Sequence, residues 1–274
     1  TINILKENYE ITSRPEQIQK AKSALKYKLK HWGKEQIDTE INRHYAGFYL
    51  GLTTQTQAIF SNLSKNIDTL SINSKVETDL ARDATKICFL IEDHPGIFSR
   101  LTGAIALSGA NVIDARTYTT SDGFATSVFW LQNKEGKPFE ENRLNKLNQT
   151  INEALKGQII ARDILKEKGK IKKKEKDFIV PTNITFDNEG SEIHTIIEIE
   201  TRDRLGLLYD LAKTLSNNYI SISSAIIATF GEQAVDTFYV KDLFGLKLHS
   251  LSKREKLEHK LKEAIQAGTL IDPY

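Results

Sequence analysis

The chain of 274 residues has no methionine, one cysteine, five prolines and no long apolar run. A chain without even an initiator methionine is expected to be a fragment of a longer protein or a processed product. A single thiol, Cys88, excludes an internal disulfide, and its place among alternating apolar residues reads as a small buried hydrophobe rather than a reactive group. A reducing cytoplasm is the expected compartment. No segment has the length of a spanning helix, and the N-terminal TINILKENYEITSRPE lacks a basic region ahead of an apolar core, so neither a membrane partner nor a signal peptide is expected. A net charge of +2 is too small to call for nucleic acid.

Motifs of catalysis are missing as well. None of the six histidines, at 31, 44, 94, 194, 249 and 259, has HExxH spacing or is followed by aspartate, and no second cysteine completes a zinc site. GxGxxG, GxxxxGK[ST] and GxSxG do not occur. No catalytic residue, metal or cofactor is therefore expected within the chain. Hydrophobic residues at 39% and charged residues at 27% fit a globular protein, and the length favours about two domains.

What the chain does contain is a repeat. DHPGIFSRL, from Asp93 to Leu101, returns as DRLGLLYDL, from Asp203 to Leu211, and each follows a β-rich run, ICFLI or IIEIE. The first copy reads as strand, turn and strand through KVETDLARDATKICFLIED, and then as a helix on Ile97, Leu101, Ala104, Ile105 and Leu107. A hairpin of NVIDARTYTT and FATSVFWLQN and a helix on Leu144, Leu147, Ile151 and Leu155 complete it. NITFDNEGSEIHTIIEIE, the stripe Leu207, Leu208, Leu211 and Leu215, the hairpin SISSAIIATF with AVDTFYVKD, and Leu257, Leu261 and Ile265 repeat that order. Gly96 and Gly206 lie 110 residues apart and Ala125 and Ala234 109 apart, so one residue is lost in the hairpin turn. The agreement identifies an internal duplication.

Residues 1–71 are expected to form a helical segment, with helices on Ile18, Ala21, Leu25 and Leu29, over Lys34 to His44, and over Gln55 to Ser64. The aromatic and glycine-rich AGFYLG interrupts this pattern. Residues 72–160 and 179–274 are the two copies, and residues 161–178 a linker. The linker's EKGKIKKKEKD, with no interleaved aromatics, reads as a solvated tail rather than a nucleic-acid arm.

At the repeated corner, glycine lets the backbone take positive φ and approach a ligand, and the helix start behind it offers N–H groups suited to a carboxylate. Asp93 and Asp203 can cap the helix or accept from an ammonium group. Asn111 and Ser221 hold matching positions at the start of the next strand. Such a corner suits a zwitterionic amino acid; the plainer alternative is a well-capped turn. His94 and Pro95 differ from Arg204 and Leu205, so the two corners need not be equivalent.

DHPGIFSRLTGAIALSGANVIDARTYTTSDGFA and RDRLGLLYDLAKTLSNNYISISSAIIATFGEQAVDTFYVKDLFG resemble the two ACT domains that end the bifunctional uridylyltransferase and uridylyl-removing enzymes acting on the nitrogen signal protein PII. RHYAGFYLG, from Arg43 to Gly51, is similar to the stretch just before those domains, with Ala and Gly where prolines are expected. The resemblance implies an α+β fold of two ferredoxin-like βαββαβ modules, with glutamine as effector and PII as partner. It also implies catalysis in nucleotidyltransferase and HD hydrolase domains outside this chain, where Mg and UTP would act. Carried over by position, the effector-binding candidates are Asp93, His94, Gly96, Ile97 and Asn111, with Asp203, Gly206, Leu207 and Ser221. A stand-alone ACT-repeat sensor, an ACT-regulated biosynthetic enzyme and a protein-interaction module are the alternatives.

Overall fold

A computed structural model describes residues 14–65, 72–156 and 180–269. Four helices come first: α1 (Arg14–Lys28), α2 (Lys34–Asn42), α3 (Ala46–Gly51) and α4 (Thr54–Ser64). The first module comprises β1 (Asn73–Asp79), a 3-10 turn (Leu80–Arg82), β2 (Ala84–Glu92), α5 (Ile97–Leu107), β3 (Asn111–Thr119), β4 (Phe124–Gln132) and α6 (Glu141–Leu155). The second repeats it as β5 (Asn183–Asp187), β6 (Thr195–Arg202), α7 (Leu207–Asn217), β7 (Ile220–Phe230), β8 (Gln233–Asp242) and α8 (Leu251–Thr269). The lysine-rich EKGKIKKKEKD expected as a linker lies outside the described residues.

Both sheets are antiparallel, in the orders β1-β2-β4-β3 and β5-β6-β8-β7. In each module the order is ββαββα: the leading strand takes the sheet edge that the last strand of a βαββαβ module would hold, so the sheet remains a four-stranded ferredoxin-like layer with the module's own two helices on one face. The duplication extends to register. Ile87 pairs with Phe129 as Ile197 pairs with Phe238, and a bulge falls between Val112 and Asp114 as it does between Ile222 and Ser224. A bulge bends the strand and increases its twist, so both copies curve their β3 or β7 edge in the same way.

The two modules differ on their outer faces. Along β6 and β8 burial alternates, as in a sheet with one solvated side, whereas β2 and β4 are buried at almost every position. The cover on the first sheet is the helical segment. Leu25, Leu29, Ile41, Phe48, Tyr49 and Phe60 form one cluster with Ala84, Cys88, Val128 and Trp130 of the sheet. Burial within it pushes the Cys88 thiol up to about 12, the behaviour of an inert small hydrophobe.

AGFYLG does not interrupt the helical pattern; it forms α3. Its glycines serve packing, because Gly47 and Gly51 lie against the Tyr118 ring and hydroxyl, where a Cβ at Gly51 would collide with that hydroxyl. Phe48, between the glycines, stacks on His44 at 3.7 Å and meets Tyr49, Phe60 and Tyr118. A second tie is polar. The Arg43 guanidinium donates to Asp122 at 2.5 Å and to Glu40 at 3.2 Å, and the Ser121 N–H donates to the Arg43 carbonyl, joining α2 to the β3–β4 turn.

Burial of Glu40 alone would raise its pKa, but hydrogen bonds from His44 and Ser64 and the Arg43 charge outweigh it and hold the carboxyl at about 2. His44 is pushed below its usual range, chiefly by burial, so at neutral pH it is uncharged.

Two outcomes are expected. Phe48→Ala empties the centre of the helical layer and should cost about 3–5 kcal/mol by urea denaturation. Glu40 has its carboxyl pKa depressed in the folded state, so its contribution is present above about 4.5 and lost as pH falls toward about 2. Glu40→Gln should therefore lower stability at neutral pH and leave a shallower acid transition, measured by Trp fluorescence.

Candidate functional site

The two corners superimpose in their internal bonding. The Ile97 N–H donates to the His94 carbonyl at 3.0 Å, and the Leu207 N–H to that of Arg204 at 3.1 Å. Gly96 has φ 88° and ψ 0°, Gly206 φ 82° and ψ −1°, values that side-chain-bearing residues rarely adopt and that suit the third position of a type II turn. The hairpin tips lock both turns, since the N–H groups of Asp93 and Asp203 each donate at 2.8 Å, to the carbonyls of Gly123 and Glu232.

Neither helix receives a side-chain cap, so Asp93 and Asp203 do not act as capping residues. Ile97 and Leu207 bury their side chains in the core and spend their N–H groups on the turn. His94 is exposed and approaches Arg100, whose guanidinium also donates to the Leu155 carbonyl at 2.6 Å. Arg204 does the corresponding work in the second module, reaching the Ala264 carbonyl and pairing with Asp210 at 2.6 Å. These cations tie each corner to the closing helix.

The modules lie side by side, β3 along β7 and α5 along α7, and one hydrophobic cluster runs through both. Gly103 on α5 permits the helices to approach, for a Cβ there would stand 2.9 Å from the Tyr209 ring. This arrangement exchanges partners between the corners. Asn111, expected beside Asp93, instead stands at the Asp203 carboxylate of the other module, where its amide favours the charged form. Ser221 is exposed in its ladder opposite Lys241, and it is Ser216, at the end of α7, that lies against Gly96.

A cleft opens at the second corner, lined by Asp203, Gly206, Tyr209, Thr229 and Asp236 on one side and Thr102, Ala106, Asn111 and Val112 on the other. Its cavity is about 30 Å³, room for about two waters. Asp236 is the residue that position-by-position comparison with the first corner missed. It is 2% exposed, lies in β8 opposite Ile227 and Ile199, and its Oδ1 has no hydrogen-bond partner. Burial and the neighbouring Asp203 charge drive its pKa well up, and burial raises Asp203 as well, against the Arg204 and Asn111 contacts. The signal was in the alternation of AVDTFYVKD, which sets Asp236 on the same inward face as Ala234, Phe238 and Val240.

The first corner has no such pair. Asp93 accepts from the Thr119 hydroxyl at 2.6 Å, and Ser127, at the position matching Asp236, shares a hydrogen bond of 2.8 Å with Thr117. Among the described residues no group of three or more His, Cys, Asp or Glu could hold a metal, and no helix is long and apolar enough to cross a membrane. Because both turn glycines hold positive φ, Gly96→Ala and Gly206→Ala should each lower stability by about 1–2 kcal/mol. The effect should be larger at Gly96, where the Ser216 hydroxyl is 3.1 Å from the added carbon; thermal unfolding measures both.

Residues 183–271, the second module, match the family model described as ACR9-like, ACT-like domain. Among curated proteins, the bifunctional uridylyltransferase/uridylyl-removing enzyme of Cereibacter sphaeroides is 50% identical over 268 residues, 98% of this chain and 29% of its own length. Proteins of the same name from Ruegeria pomeroyi and Azospirillum brasilense are 53% and 36% identical, over 90% and 93% of this chain and 28% of theirs. The chain thus spans less than a third of these relatives. An aspartate kinase from Synechocystis aligns at a TM-score of 0.37 and 13% identity, over 67% of this chain and 27% of its own, too low to carry an argument. Over nearly its whole length the chain is similar to a stretch of less than a third of the bifunctional uridylyltransferase/uridylyl-removing enzymes, and its second module matches an ACT-like domain.

Proposed function

We propose that this chain is the glutamine-sensing regulatory region of a cytoplasmic bifunctional enzyme that transfers uridylyl groups to the PII protein and removes them. The chain contributes the sensor; the nucleotidyltransferase and hydrolase chemistry, with Mg and UTP, belongs to domains outside it. The observation that carries the reading is the cleft at the second corner, completed by Asn111 from the other module. Backbone at Gly206 can approach the carboxylate of an amino acid, and the acidic groups Asp203 and Asp236 on the same wall suit its ammonium end.

A cavity of about 30 Å³ is far below the roughly 300–1,000 Å³ of a usual ligand pocket. An effector must therefore part the modules to enter. Binding then favours an opened pair over the closed one, and that difference in affinity is what couples the cleft to distant sites. The helical layer clamped to the first sheet by Phe48 and Arg43 is the element through which such a movement is passed on.

Titration calorimetry of the chain with glutamine, run beside glutamate, tests the reading. Saturable binding of glutamine that is weak for glutamate and lost in Gly206→Val, with that variant still folded by circular dichroism, is expected. No heat and no thermal stabilisation at millimolar glutamine would contradict it.

A further inference from the structure

We propose that Asp236 is a ligand-binding residue: together with Asp203 it forms a two-carboxylate seat for the ammonium group of the effector, present at the second corner and absent from the first. This inference rests on the sensor reading and adds the chemistry of one end of its site.

A strand residue facing inward among Ala234, Phe238 and Val240 would ordinarily be apolar, since a buried carboxylate without a partner is costly. Asp236 is nonetheless buried with Oδ1 unpartnered, and it faces the cleft beside a second carboxylate. Nearby groups do not resolve this. Arg204 spends its two terminal nitrogens on the Leu205 carbonyl, Asp210 and the closing helix and its buried Nε makes no hydrogen bond, Asn111 stands at Asp203, and a backbone N–H at Ala228 bonds the Asp236 carboxylate without reaching its free oxygen. Two carboxylates with one free buried oxygen are the complement of a small cation carrying several donors, and an α-ammonium group has three.

At the first corner the corresponding position is Ser127, already hydrogen-bonded to Thr117, and Asp93 is held by Thr119. One carboxylate remains there, and it is occupied. Among the described residues the duplication therefore carries one complete ammonium seat.

Because a carboxyl with a raised native pKa favours the protonated folded state, the free protein loses stability as pH rises from about 3.9, the unfolded value, through the native one. Asp203, Arg204 and Asp210 are the charged groups around the seat. A bound ammonium reverses the preference, so binding in the range where Asp236 holds its proton should release that proton to the buffer.

The test uses the full chain and Asp236→Asn, titrated with glutamine and with 4-carbamoylbutanoate, which is glutamine without its ammonium group. Heats are taken in buffers of different ionisation enthalpy, with thermal unfolding in parallel. Wild type should prefer glutamine over the ammonium-free compound by about tenfold or more and release a proton on binding it. Asp236→Asn should be folded and at least as heat-stable as wild type, yet bind glutamine about tenfold more weakly, with the preference and the proton release gone. Glutamine binding with unchanged preference in Asp236→Asn would overturn the proposal alone. A wild type that binds no glutamine at all would overturn the sensor reading and the proposal with it.

Discussion

Everything distinctive about the cleft depends on the side-by-side packing of the two modules. A corner of aspartate, two residues and glycine makes a sound turn by itself, fixed by the Asp203 N–H on the Glu232 carbonyl and by the left-handed Gly206. It becomes a pocket only because α5 and β3 of the other module supply its far wall, with Asn111 at the Asp203 carboxylate. That wall is held by a core continuous through both modules, from Phe129 and Leu101 to Phe238 and Leu211. Burial on this scale, at about 25 cal/mol per Å² of apolar surface, makes the paired arrangement the unit of stability.

Duplication followed by divergence explains the rest of the molecule. The copies keep the same register, bulge, turn and guanidinium tie to the closing helix. They differ where each has a distinct neighbour. Among the described residues the first sheet carries the helical layer on its outer face and the second carries none, while the second corner pairs Asp203 with Asp236 where the first has Asp93 bonded to Thr119 and Ser127 bonded to Thr117. The buried, unpartnered carboxyl of Asp236 costs stability where a packing residue would not.

Much of this was legible in the sequence, for identifiable reasons. Helix stripes and strand alternation gave the elements of both modules because each buries one face, and the repeat of DHPG and DRLG located the corners. The helical layer's docking was also encoded, in the contrast between the continuous ICFLI and VFW runs of the first copy and the alternating IIEIE of the second. AGFYLG was misread because its glycines look like breakers, whereas they serve close approach to Tyr118 within a helix. The exchange of Asn111 to the other module's corner was not legible, since it depends on how two folded modules meet. Asp236 was legible but hidden by comparing the copies, in which its partner is an ordinary buried serine.

The measurement that bears most directly on the central claim is a crystal structure of the chain grown with glutamine. The account predicts one glutamine per chain, between Asn111 and the turn at Gly206, its ammonium between Asp203 and Asp236 and the modules further apart than in the unbound form. Glutamine at the first corner, on an outer sheet face, or in the cleft with its ammonium turned away from both aspartates would contradict it.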